Sequence, residues 1–111
     1  MKISNIKRYE IYYAALDPTI GREIQKTRPV VVVSPDQMNR YSDTVVVCPL
    51  TTKLHAKWRH RIQINCANKP AEIAVDQIRT ISRLRLRKKI DELSSEKAAE
   101  LRHIIVHMYG E

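Results

Sequence analysis

The chain of 111 residues is short of several things: it has only two glycines, only two cysteines, and 12 Asp and Glu against 20 Lys and Arg. No apolar run approaches the roughly 18 residues that cross a bilayer, so no transmembrane helix and no membrane partner are expected. The opening Met1-Lys2-Ile3-Ser4-Asn5 lacks the apolar core and small-residue cleavage site of a secretory signal, and a cytoplasmic protein is expected. Cys48 and Cys66 are the only candidates for a disulfide. In a reducing compartment two thiols are the simpler reading, Cys48 lying inside an apolar run. No repeat, low-complexity tract or heptad series occurs. What remains is a globular composition, 43% hydrophobic and 29% charged. Folding at this length buries about two-thirds of the unfolded surface, enough for one core, so residues 1–111 form a single domain whose larger clefts would need a second subunit.

The formal net charge of +8 needs a destination: nucleic acid, an anionic surface or an acidic protein. From Thr44 to Ala71 there is no acidic residue, while Lys53, Lys57, Arg59, Arg61 and Lys69 are basic and His55 and His60 join them. A second cluster, Arg79, Arg83, Arg85, Arg87, Lys88 and Lys89, occupies eleven positions without a carboxylate. Such density suits the tracking of phosphates. A solvated face is the plainer alternative.

Alternation and β-rich composition predict a strand from Ile6 to Ala15. The run LDPTIGREIQKT is a long polar connection, and long connections in small domains often carry function. Val30 to Val33, flanked by prolines, reads as a strand buried on both faces, and Thr44 to Leu50 as another. Between them PDQMNRYSD is turn chemistry. Trp58, His60, Ile62 and Ile64 alternate with Arg59, Arg61 and Gln63, predicting a half-buried strand; Asn65 to Pro70 is a loop, and Glu72 to Val75 a short strand. DQIRTISRLRLRKKI suits a strand passing into a short helical turn. Ser94, Ser95 and Glu96 cap a helix running to about Tyr109, whose Ala98, Leu101, Ile104, Ile105 and Met108 form one apolar stripe. Several short strands followed by one helix predict a small antiparallel barrel, mainly β with α.

Glu23 lies on the polar loop and Arg28 just before the buried strand. Metal-free RNA cleavage needs a base for the 2′-hydroxyl proton, a cation for the pentacoordinate phosphorane and a proton for the leaving 5′-oxygen. A carboxylate supplies the first. Arginine suits the second, because its planar fork pairs two phosphoryl oxygens. The alternative for this pair is an exposed salt bridge worth about 0 to 1 kcal/mol. Thr51 and Thr52 are candidates to hold a phosphate, or to form a turn. Cys48, His55, His60 and Cys66 have no zinc-site spacing, since paired ligands of structural sites sit closer together. A histidine acid or base is the better use of His55 or His60. His103 and His107 share a helix face without a zincin motif and read as surface residues. Tyr12, Tyr13, Tyr41 and Trp58 are candidate base-stacking residues; the core is the stronger expectation for Tyr13 and Trp58, and Tyr41 is the expected exposed platform.

Four segments in order, YYAALDPTIGREIQKTRPVVVVS, NRYSDTVVVCPLT, DQIRTI with the following RL, and the capped terminal helix, resemble the MazF/PemK family of toxin endoribonucleases of toxin–antitoxin systems. The resemblance covers nearly the whole chain. It implies a Src-homology-three-like barrel, shared with the CcdB gyrase poisons, working as a homodimer. It also implies sequence-specific cleavage of single-stranded RNA, chiefly mRNA, without metal or cofactor, leaving a 2′,3′-cyclic phosphate and a 5′-hydroxyl. Matched to the family's motifs, Glu23, Arg28 and Thr51 are the catalytic set, Gln77 a base-contacting residue, and Asn39 with Arg40 the family's Asn-Arg pair. Lys53, Lys57, Arg59 and Arg79 complete the expected RNA surface. An acidic antitoxin tail is expected across the same groove. The sequence departs from the pattern at Arg22, where a small residue is usual, at Tyr9, where glycine is usual, and across LHAKWRHRIQI. The competing expectation is a gyrase poison or RNA-binding module on the same barrel, since fold alone does not fix function.

Overall fold

Runs of β-branched residues set the centre of the sheet. The computed structural model describes residues 5–16, 27–55 and 57–110. Strand β1 spans Glu10–Ala15, β2 Thr27–Val32, β3 Thr44–Thr51, β4 Arg61–Cys66, β5 Lys69–Ala74, β6 Arg79–Ser82 and β7 Leu86–Glu92. Helix α1, Asp36–Tyr41, lies between β2 and β3, and α2, Ser95–Tyr109, follows β7. Every strand pairing is antiparallel, in the order β4-β5-β3-β2-β1-β7, with β6 also on β3.

Because successive side chains of a strand point to opposite faces, the valine runs feed two cores. Val31, Val33, Cys48 and Leu50 join Ile62, Ile64, Ile73 and Leu101 on one side; Val30, Val32, Val45 and Val47 join Tyr12, Ala14, Ile81 and Leu86 on the other. Helix α2 closes the first core with Leu101 and the flanking Ile104, Ile105 and Met108. Its first turn is fixed by Ser94, whose hydroxyl accepts the Lys97 N–H at 3.2 Å. The result is a curled antiparallel half-barrel with a C-terminal helix, the mainly β, α+β class that the strand pattern predicts.

Four local expectations are corrected. The first strand begins at Glu10 rather than Ile6, because Tyr9 has φ 73° and interrupts the extended run. That left-handed conformation is one glycine enters freely. Tyr9 holds it through two ladder-like bonds, its N–H donating to Val32 O at 2.7 Å and its carbonyl accepting from Leu93 at 2.9 Å. The expected turn after Pro35 is helix α1, entered through the fixed φ of Pro35, with Asp36 in its first turn accepting the Arg8 N–H at 2.7 Å. The strand expected from Trp58 starts only at Arg61: Trp58 donates its N–H to His55 O at 2.9 Å, closing a turn. Finally, the expected loop Asn65 to Pro70 is a tight hairpin in which Cys66 pairs with Lys69 across Ala67 and Asn68, with φ 51° and 67°.

Positive φ at both central residues defines the hairpin turn that favours Asn and Gly. Alanine at the first position carries a left-handed penalty of about 1 kcal/mol. Ala67→Gly should therefore raise the urea unfolding midpoint by about 1 kcal/mol of stability; an unchanged or lower midpoint would contradict this account of the turn.

Candidate active site

The ladder between β2 and β3 sets Val30 opposite Pro49 and Val32 opposite Val47. Carried two residues further, the same register brings Arg28 level with Thr51. Thr51 pairs with Glu72 on β5, and Glu72 with Gln63 on β4. Residues opposite one another share a face, so Arg28, Thr51, Glu72 and Gln63 make one polar row across four neighbouring strands. Arg79 pairs with Val47 on the same face. Arg28 is exposed and Thr51 half-buried. The Thr51 hydroxyl accepts the Lys53 N–H at 3.1 Å, closing the turn after β3. Its own hydrogen remains available to donate.

At the inner end of the row the Glu72 side chain is fully buried. Burial alone would raise its pKa, but four donors outweigh it: the His55 N–H, the Gln63 amide at 2.6 Å, Arg61 Nη1 at 2.6 Å and the His55 ring, whose Nδ1 is 3.1 Å from Oε2. Together they bring the carboxyl down to about 2. Arg61, itself nearly buried, turns its Nε to Asp76 at 2.8 Å. That bond holds Asp76 below the usual carboxylate range and the guanidinium above its own. One arginine thus bridges two carboxylates and ties β4 to β5 and to the turn after it.

The expected site residues divide. Glu23 lies outside the described residues. Arg28, Thr51 and Arg79 share the row's face, and Lys53, Lys57 and Arg59 are exposed on the connection leading out of it. Gln77 is exposed in the Val75–Gln77 turn, beside Asp76. Asn39 and Arg40 sit on α1, at the far end of β3 from Thr51, roughly 20 Å away at strand rise. Arg40 is exposed, but Asn39 is corrected: it is 0% exposed, its Oδ1 accepting from the Ser34 hydroxyl and its Nδ2 donating to Ser34 O at 2.9 Å. Its role is to fix α1, and no surface is left to meet RNA.

The second basic cluster is also corrected, because much of it serves the protein. Arg83 donates to Asn39 O at 2.6 Å and Ser42 O at 3.0 Å, Arg85 to Ala15 O and Arg87 to Leu84 O. Lys89 bridges Glu10 and Glu92. Tyr13 and Trp58, expected in the core, are 40% and 51% exposed; Tyr41 is 76% exposed, as expected. Cys48 and Cys66 lie in the first core, where burial pushes the Cys48 thiol up to about 12 and raises Cys66. Among the described residues no three His, Cys, Asp or Glu side chains gather as metal ligands. The constellation missed from sequence is Glu72 with Arg61, Gln63 and His55. Its signal was a lone carboxylate inside the apolar strand Ala71 to Val75, at the parity opposite to Ile73.

Fold and site together define a small β half-barrel with an arginine and a threonine level at one end of its central strands. Residues 7–109 match the family described as PemK-like, MazF-like toxin of type II toxin-antitoxin system. A relative named Endoribonuclease MazF, from Staphylococcus saprophyticus, is 34% identical over 105 residues, covering 90% of this chain and 88% of its own. The chain belongs to the PemK-like, MazF-like toxin family. Among solved structures, MazF of the Deinococcus radiodurans MazE-MazF complex (form II) superposes with a TM-score of 0.82 at 19% identity, over 97% of this chain and 98% of that one. The Mycobacterium tuberculosis toxin MazF-mt6 gives 0.76 at 23% identity, over 91% and 96%. Among the described residues no helix is long and apolar enough to cross a membrane.

A carboxyl lowered from 4.5 to about 2 contributes stability that is complete above the ordinary value and lost as the pH falls through the lowered one. Thermal unfolding followed from pH 6 to pH 2 should show the midpoint falling through that window. Glu72→Gln should lower the midpoint at pH 6 and flatten the fall. A variant retaining the full acid slope would show that Glu72 is not its source.

Proposed function

We propose that this protein is an endoribonuclease toxin that cleaves single-stranded mRNA at specific sequences without a metal ion, leaving 2′,3′-cyclic phosphate and 5′-hydroxyl ends. The observation that carries the reading is the β2–β3 register, whose extension by two residues sets Arg28 level with Thr51, in a chain of the MazF-like family. In this reading Glu23 takes the 2′-hydroxyl proton as that oxygen attacks phosphorus. Arg28 pairs the two equatorial oxygens of the phosphorane, the Thr51 hydroxyl donates to the phosphate, and the 5′-oxygen leaves with a proton relayed through Arg28 or from water. Lys53, Lys57, Arg59 and Arg79 lie along the strand's path and Gln77 meets a base.

The charge of +8 and the family support two partners: a second copy completing the groove, and an acidic antitoxin competing for it. Two of the similar Deinococcus radiodurans structures are of MazE-MazF.

Arg28→Ala should reduce cleavage of a long RNA by about 100-fold to 1,000-fold in EDTA while leaving the thermal midpoint unchanged. Arg28→Lys should recover little, for want of the planar fork. Full activity of Arg28→Ala would remove the assignment. Absence of cleavage by the unaltered protein would favour the gyrase-poison or RNA-binding alternative.

A further inference from the structure

Trp58 projects from the connection between β3 and β4, half-exposed, and two side chains pack against its ring. The His55 ring stacks on the indole with centroids 3.9 Å apart and planes 22° from parallel. Arg61 Cζ lies 4.7 Å from the indole centroid. His55 Nδ1 and Arg61 Nη1 are only 3.3 Å apart. Groups sandwiching an indole would be separated by roughly 7 Å, twice a stacking distance, so both cover the same face. The 51% exposure of Trp58 therefore leaves its other face open to solvent.

We propose that this open face is a stacking platform for one unpaired nucleobase of the bound RNA, aimed by His55 and Arg61, which the buried Glu72 carboxylate holds from below. The proposal rests on the RNA-cleaving reading and adds a specific contact to it. Four observations bear on the occupant. Trp58 is seven residues beyond Thr51, and both groups packed on its ring, His55 and Arg61, bond to Glu72 of the polar row. The exposed Lys53, Lys57 and Arg59 flank it along the chain, in a stretch from Thr44 to Ala71 that holds no carboxylate, a setting that favours an anionic polymer. Gln77, an amide able to read a base edge, follows Asp76, the second partner of Arg61. The platform is also held before anything binds, since the Trp58 main-chain N–H donates to His55 O, the His55 main-chain N–H donates to Glu72, and the His55 ring and Arg61 pack on the indole. Little ordering entropy is then lost on stacking.

Trp58 is the single tryptophan, so its emission reports the platform directly. The probe is a 2′-O-methyl RNA of mixed sequence, about a dozen nucleotides long, which lacks the attacking hydroxyl. It is compared with an abasic strand of the same backbone and with polyglutamate, binding of each being followed independently by anisotropy. Acrylamide should quench the free protein. The RNA should quench Trp58 and shield it from acrylamide, whereas the abasic strand and polyglutamate should bind without either effect. Trp58→Ala should weaken RNA binding about tenfold at an unchanged thermal midpoint, with Trp58→Phe recovering most of the loss. His55→Ala should weaken the RNA quench more than it weakens binding of the abasic strand, as a positioning residue requires. RNA that binds with unaltered Trp58 emission would overturn the platform and leave the RNA reading standing; RNA that does not bind overturns both. A Trp58 shielded from acrylamide until the protein is diluted to monomer would assign the face to contact between copies, and equal quenching by polyglutamate would assign it to an acidic peptide.

Discussion

A carboxylate with no exposure to water is the constraint around which one end of this molecule is organised. Isolated, a buried charge costs several kcal/mol, so Glu72 can exist at this position only if its donors are all in place. Those donors come from two adjoining pieces of chain: Arg61 and Gln63 on β4, and His55 on the connection before it. Satisfying Glu72 therefore fixes where β4 begins and where the preceding connection touches the sheet. A residue sealed from solvent sets the position of exposed ones.

The central strand β3 explains why this cluster lies beside Arg28 and Thr51. One edge of β3 pairs with β2, while the other pairs with β6 over Thr44 to Val47 and with β5 over Leu50 and Thr51. The change of partner falls at Cys48 and Pro49. A proline interrupts a ladder least where the neighbouring strand is already giving way. Beyond it β5 turns the sheet so that its second residue pair brings Glu72 against Thr51. The curl of the half-barrel and the assembly of the polar row are the same geometric event.

Periodicity made the elements legible where burial alone decides them. The valine runs of β2 and β3 and the apolar stripe of α2 lie where alternation and helical spacing put them, because nothing but two cores competes for those side chains. It failed where one polar contact or one backbone angle decides. Tyr9 at φ 73° ended a strand that alternation extended to Ile6, and Asn39, matched to a family position on RNA, is sealed by Ser34. Trp58 alternates correctly with Ile62 and Ile64, yet the demand of Glu72 for the His55 N–H turns the chain at 55–58 and carries the indole out of register. The contact that turns this connection is not local in sequence: Glu72 lies 17 residues from His55, a separation that no window of hydrophobicity connects.

The same distinction separates the arginines, which composition counts alike. Arg61 is saturated by two carboxylates and Arg83 is committed to the carbonyls that end α1. Arg61 adds little net charge toward an approaching polyanion, since its two carboxylates neutralise it at a distance, whereas the Arg83 head group is spent on holding backbone carbonyls. Exposed cations lie on several parts of the surface, but on the connection after Thr51 the exposed Lys53, Lys57 and Arg59 follow one another with no acidic residue between them. A net charge spread evenly would give weak, diffuse attraction. Clustered on that connection, Lys53, Lys57 and Arg59 give a local positive field, while the neighbouring Arg61 is neutralised internally by Glu72 and Asp76.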